Sequence, residues 1–134
     1  MAPNILEKLV VNEDELSGSV AQTLYEMLNG FVKVGNKGNV ILESAFETLD
    51  SERKVFVVIA AATVASLLKL SSQDGLHPKQ VEQITLVPGG TIRPRLKLLL
   101  ERRLVVTQED GCYTFPISAI SRAKDYLQQK KSQG

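Results

Sequence analysis

Apolar positions recur first at helical spacing, then in short β-prone runs, then at helical spacing again. Ile5, Leu6, Leu9 and Val10 are spaced for a short first helix. Asn12, with Glu15 three residues on, resembles a capping pair. Leu16, Val20, Leu24, Met27, Leu28 and Phe31 then follow at i, i+4, i+8, i+11, i+12 and i+15. That is the stripe of an amphipathic helix, with Gly30 placed to end it. Phe31–Val34 and Val40–Leu42 are short β-prone runs on either side of Gly35-Asn36-Lys37-Gly38-Asn39, which predicts a hairpin. Asp50 and Ser51 can cap a long helix from about Glu52 to Lys69. Its middle is apolar on every face, so other elements must surround it.

Ser71-Ser72-Gln73-Asp74-Gly75 is the clearest break. It divides the chain into an N-terminal helix–hairpin–helix elaboration, 1–75, and a second unit, 76–134. The greasy helix before the break requires the second unit to pack on it.

The second unit opens with His77-Pro78. Pro78 suits the first position of a helix, where a missing N–H costs nothing. Leu76 and Val81 then stand at the two positions of a hydrophobic staple. That helix should stop near Thr85, with Leu86–Gly90 as the turn. Thr91 is expected to cap a second helix by accepting the Arg93 N–H, since Pro94 has none. Ile92, Leu96, Leu99 and Leu100 form its buried stripe. At 100° per residue, Pro94, Lys97, Leu98 and Glu101 point away from the stripe, and Arg93, Arg95 and Arg102 border it. Leu104–Gln108 reads as a strand, Asp110-Gly111 as a two-residue turn, and Cys112–Phe115 as the return strand. Pairing would set Gln108 with Tyr113, Thr107 with Thr114 and Val106 with Phe115. Pro116 ends the ladder. Ile117, Ile120, Ala123 and Leu127 mark a last helix, with Tyr126 beside its stripe and Lys130–Lys131 at a frayed end.

Composition narrows the picture. Hydrophobic residues make up 43% of the chain and aromatics only 5%, so the core is aliphatic and the chain is globular. The net charge of +1 conceals an asymmetry. Residues 1–75 carry six Lys/Arg against ten Asp/Glu, a net −4, and residues 76–134 carry ten against five, a net +5. A basic second half points to a polyanionic partner. The most apolar run, Val55–Leu68, is fourteen residues long, too short to cross a bilayer. The N-terminal Met1-Ala2-Pro3-Asn4 begins no signal peptide. Cys112 stands alone, so no internal disulfide and no multi-cysteine metal site is expected, and a reducing, cytoplasmic setting is implied.

Helix, turn, basic helix and hairpin, in that order over residues 76–116, resemble the winged helix-turn-helix superfamily. The phrase from Pro88 through Glu101-Arg102-Arg103-Leu104-Val105 is especially like prokaryotic members, in which a recognition helix ends in Glu-Arg-x-Leu-Val and feeds the wing. The fold class expected is therefore mainly α with two short β-hairpins, a winged helix-turn-helix carrying an N-terminal helical elaboration.

The resemblance implies a recognition helix over 91–103 lying in the major groove of double-stranded DNA. It casts Thr91, Arg93, Arg95, Lys97 and Arg102 as DNA contacts, with Lys79 on a phosphate. The protein it suggests is a small, sequence-specific transcriptional regulator, paired as a homodimer to read two half-sites. The seam would lie on the helix around Val20, Leu24 and Met27, or on the last helix around Ile120, Ala123 and Leu127. Two features depart from the pattern. The Leu86–Gly90 turn is longer than three or four residues, and the wing tip carries Glu109 and Asp110, which repel phosphate. The acidic tip, the near-neutral total charge and outward Leu98 support an alternative, a winged helix used for protein–protein contact within a larger assembly.

No catalytic constellation is present, so an enzyme is not expected. Gly89-Gly90 lacks a Walker pattern and reads as a turn. His77 reads as a helix-start residue and Cys112 as a small packing residue, with no ligand spacing for a metal and no cofactor.

Overall fold

The computed structural model describes residues 18–129. The first expected helix at 5–10, the Asn12–Glu15 pair and Lys130–Lys131 lie outside them. Among the described residues are α1 (Gly18–Leu28), β1 (Val32–Val34), β2 (Val40–Leu42), α2 (Ser51–Leu67), α3 (Pro78–Thr85), α4 (Gly89–Glu101), β3 (Val106–Thr107), β4 (Tyr113–Thr114) and α5 (Ile120–Gln129). Short 3₁₀ turns precede α2 and α5 at Ser44–Thr48 and Ile117–Ala119. The chain is mainly helical with two small antiparallel hairpins, the coarse class the hydrophobic pattern predicts.

The organising element is α2. Asp50 caps it, Oδ1 accepting the Arg53 N–H at 2.9 Å. Val55 through Ala62 are buried without a break, so the helix has no solvent face along its middle. The β1–β2 hairpin, α3, α4 and β4 all pack around it. Phe56 makes edge-to-face contacts with Phe115 and Tyr126, each at 5.6 Å between centroids. Thr63 ties later chain to the same helix. Its hydroxyl donates to the Asp74 carbonyl at 3.2 Å and accepts the Phe115 N–H at 3.0 Å. The break at 71–75 is thus a loop, but α2 serves both sides of it.

The first hairpin pairs Val32 with Leu42, Lys33 with Ile41 and Val34 with Val40. Gly38 takes a φ of +86° in its loop, a conformation that favours glycine. The expected seam residues of α1 and α5 are occupied within the chain. These helices pack on each other, and Leu24, Met27, Ala123 and Leu127 are buried.

Four local expectations are corrected. The second helix of the pair begins at Gly89, not Thr91, because the Pro88 carbonyl already accepts the Thr91 and Ile92 N–H groups at 2.9 and 3.0 Å. Thr91 is therefore a first-turn residue rather than the cap. The turn between α3 and α4 shortens to Leu86–Val87–Pro88, within the usual length. Leu98, expected to point outward, is only partly exposed.

The second hairpin is the fourth correction. It is shorter than expected and slipped by one residue, pairing Val106 with Thr114 and Thr107 with Tyr113. The loop is Glu109-Asp110-Gly111 rather than two residues. Gln108 accepts the Gly111 N–H at 3.0 Å and donates its own N–H to Cys112 at 2.8 Å, while Gly111 sits at φ +88°. That is a turn closed by a left-handed glycine, the common three-residue alternative.

Leu76 adds a third strand position. It exchanges backbone hydrogen bonds with Tyr113 at 3.0 and 2.8 Å. The approach is tight at Gly75, where a Cβ would run into the Tyr113 carbonyl and come within 2.7 Å of Thr114 Cγ2. That carbonyl is held by the Leu76 N–H, so it cannot swing away. Gly75→Ala is therefore expected to cost about 1–3 kcal/mol through overpacking. A thermal melt checks this, and an unchanged midpoint would mean the strands do not approach so closely.

Candidate nucleic-acid interface

The candidate interface is built on α3 and α4. Pro78 opens α3 as expected, and the His77 N–H donates to Gln80 Oε1 at 2.9 Å. Leu76 and Val81 are both buried, as a staple requires. Leu86 ends the helix in the left-handed region at φ 64°, and its side chain is 83% exposed. In α4, Ile92, Leu96 and Leu99 are buried against the core, with Leu100 partly so.

The six residues implied as DNA contacts fall into two groups. Arg93 and Lys97 lie one turn apart on the free face of α4, both exposed. Lys79, in the first turn of α3, is exposed too. Among the described residues these three side chains make no hydrogen bond or ion pair, so all three charges are available. Thr91 is half-buried.

Arg95 and Arg102 behave differently. They share a helical flank, near 170° from the Arg93–Lys97 face, that turns toward the start of α2. Arg95 Nε donates to Ser51 Oγ at 3.0 Å. Arg102 Nε lies 3.5 Å from Glu52 Oε1, and its guanidinium sits 5.7 Å from the Tyr126 ring centroid. Both line a surface pocket of about 420 Å³ with Arg53 and Tyr126 at its side. Arg53 is buried there, donating to Asp50 Oδ2 at 2.8 Å and to the Tyr126 carbonyl at 3.1 Å, while its Nε finds no partner. Burial pushes the Tyr126 hydroxyl far above the ordinary phenol range, and its hydrogen bond to Glu52 raises it further. Three arginines offset by Asp50 and Glu52 make this a joint between α2, α4 and α5 rather than an open basic surface.

The tip of the second hairpin carries Glu109 and Asp110, both exposed. Beside it the structure gathers His77, Asp110 and Cys112, a grouping that sequence spacing did not suggest. Burial raises the Cys112 thiol above its ordinary pKa. No helix among the described residues is long and apolar enough to cross a membrane. Compared with protein-family models, curated proteins and solved structures, the chain matches none.

Proposed function

We propose that this chain binds double-stranded DNA as a winged helix, with α4 as the recognition helix and the β3–β4 hairpin as the wing. The observation that carries the reading is the free Arg93–Lys97 face. Two cations one turn apart, with no partner of their own, stand on the second helix of a helix–turn–helix pair. The three-residue turn before α4 and the hairpin after it support the same reading. Arg93 suits a guanine edge, Lys97 and Lys79 suit phosphates, and Thr91 borders the contact. Arg95 and Arg102 orient α4 from behind. A transcriptional regulator of this kind reads paired half-sites, which calls for two copies. Because the α1 and α5 stripes are spent on each other, the pairing uses other surfaces.

A duplex-binding titration at two salt concentrations tests the reading. Each phosphate neutralised contributes about −0.9 to the slope of log affinity against log salt. Lys97 and Lys79 on phosphates therefore predict a slope of roughly −2 per chain. Absent binding, or a flat slope, would overturn it. That outcome would favour protein–protein contact, for which the 83% exposed Leu86 between α3 and α4 is the specific support.

A further inference from the structure

The residue that caps α3 and the residues that close the second hairpin converge on one point. Leu76 pairs with Tyr113 in antiparallel fashion, so the next positions, His77 and Cys112, lie alongside each other. The left-handed Gly111 turns the chain so that Asp110 reaches the same place. One imidazole nitrogen, one carboxylate oxygen and the thiol sulfur all lie within 4.8 Å of one another. We propose that His77, Asp110 and Cys112 form a binding site for a divalent ion of the zinc class, with solvent or a further ligand in the fourth position.

Donor chemistry sets the class. Thiolate and imidazole select borderline and soft ions such as Zn²⁺ and Co²⁺, whereas Mg²⁺ and Ca²⁺ take oxygen cages. The surroundings orient the donors. Asp110 Oδ1 accepts the Cys112 N–H at 3.0 Å, which leaves Oδ2 facing His77 Nε2 at 4.0 Å. The Gln73 amide approaches Cys112 Sγ at 4.0 Å and is itself held at 2.6 Å by Gln80 Oε1. Outer partners of this kind fix ligand geometry and tune affinity.

Access is also suitable. Cys112 is 2% exposed and forms the back of the site, while the His77 and Asp110 side chains are 41% and 68% exposed and form its mouth. Zn–N bonds of about 2.0–2.1 Å and Zn–S bonds of about 2.3 Å require tetrahedral donors roughly 3.3–3.6 Å apart. Small rotations of the two exposed side chains supply that contraction. On loading, the thiol proton leaves to solvent, the sulfur binds as thiolate, and His77 binds neutral. The ion would then fasten the hairpin to the residue that caps α3, independently of whether α4 meets DNA.

Cobalt is the probe. The full chain, reduced and stripped of metal with a chelator, is titrated with Co²⁺ and followed by absorption. Because Cys112 is the chain's single cysteine, any thiolate-to-cobalt charge-transfer band reports this sulfur. The expected result is such a band, with visible bands of tetrahedral intensity, saturating at one equivalent and displaced by Zn²⁺. Cys112→Ser should remove the band, and His77→Ala and Asp110→Asn should each weaken binding at least about tenfold. The latter two alter exposed side chains, so circular dichroism should confirm that they remain folded. A folded parent that develops no charge-transfer band would overturn the site. So would a band that survives both of those variants at unchanged affinity, or one that saturates at half an equivalent, which would place the ion between two chains.

Discussion

Ile59→Asp is expected to leave the chain unfolded at room temperature. Ile59 is 0% exposed in the middle of α2, where every neighbour from Val55 to Ala62 is also buried. Removing the side chain from such a site costs about 2–5 kcal/mol in lost burial and cavity. A carboxylate placed there adds several more, because nothing is positioned to pair with it. It would take up a proton rather than stay charged, yet the neutral acid still has a donor and acceptors to satisfy. Together these approach or exceed the ~5–15 kcal/mol by which a domain of this size is stable. Far-UV circular dichroism should show the loss of helix directly. A soluble variant that melts with its parent would mean that residue 59 faces solvent and that α2 is not the centre of the fold.

Arg93→Ala combined with Lys97→Ala is expected to weaken duplex binding by about 2–4 kcal/mol, on the order of 30- to 1,000-fold. Each side chain is taken as one contact, Arg93 to a guanine edge and Lys97 to a phosphate. Stability should stay within about 0.5 kcal/mol, because neither side chain has a partner to lose. Arg95→Ala is the informative contrast. It breaks the Ser51 hydrogen bond, so its effect should fall on the melt more than on binding. Fluorescence anisotropy with a labelled duplex reads the first quantity and a thermal melt the second. Unaltered binding by the folded double variant would remove α4 as the DNA-contacting helix.

Elements set by local patterning were legible in the sequence. The apolar run of α2, its Asp50 cap, the first hairpin and the Pro78 start of α3 each depend on residues a few positions apart. The errors came where two local solutions compete. Thr91 is a good cap by its hydroxyl, but the Pro88 carbonyl three residues earlier already closes the first turn. Asp110-Gly111 suits a two-residue turn, but Gly111 in the left-handed region closes a three-residue loop just as well, its N–H donating to the Gln108 carbonyl. Of the long-range geometry, only the packing of the second unit on α2 was legible. Which arginines of α4 stay free depends on where Ser51 and Glu52 lie, and the meeting of His77 with Cys112 depends on a strand pairing between distant segments.

Because α2 is covered by the first hairpin on one side and by α3, α4 and β4 on others, none of these elements can come away without uncovering it. Opening either half exposes aliphatic surface that only the other half could shield. The molecule therefore has no inexpensive partially open state, and its melting should be a single cooperative transition. Backbone amides along α2 should exchange with solvent only through that global event, while those near the hairpin tips exchange through local fluctuations. The charge balance of the sequence changes sign after residue 75, but the packing around α2 does not divide the chain into two folding units there.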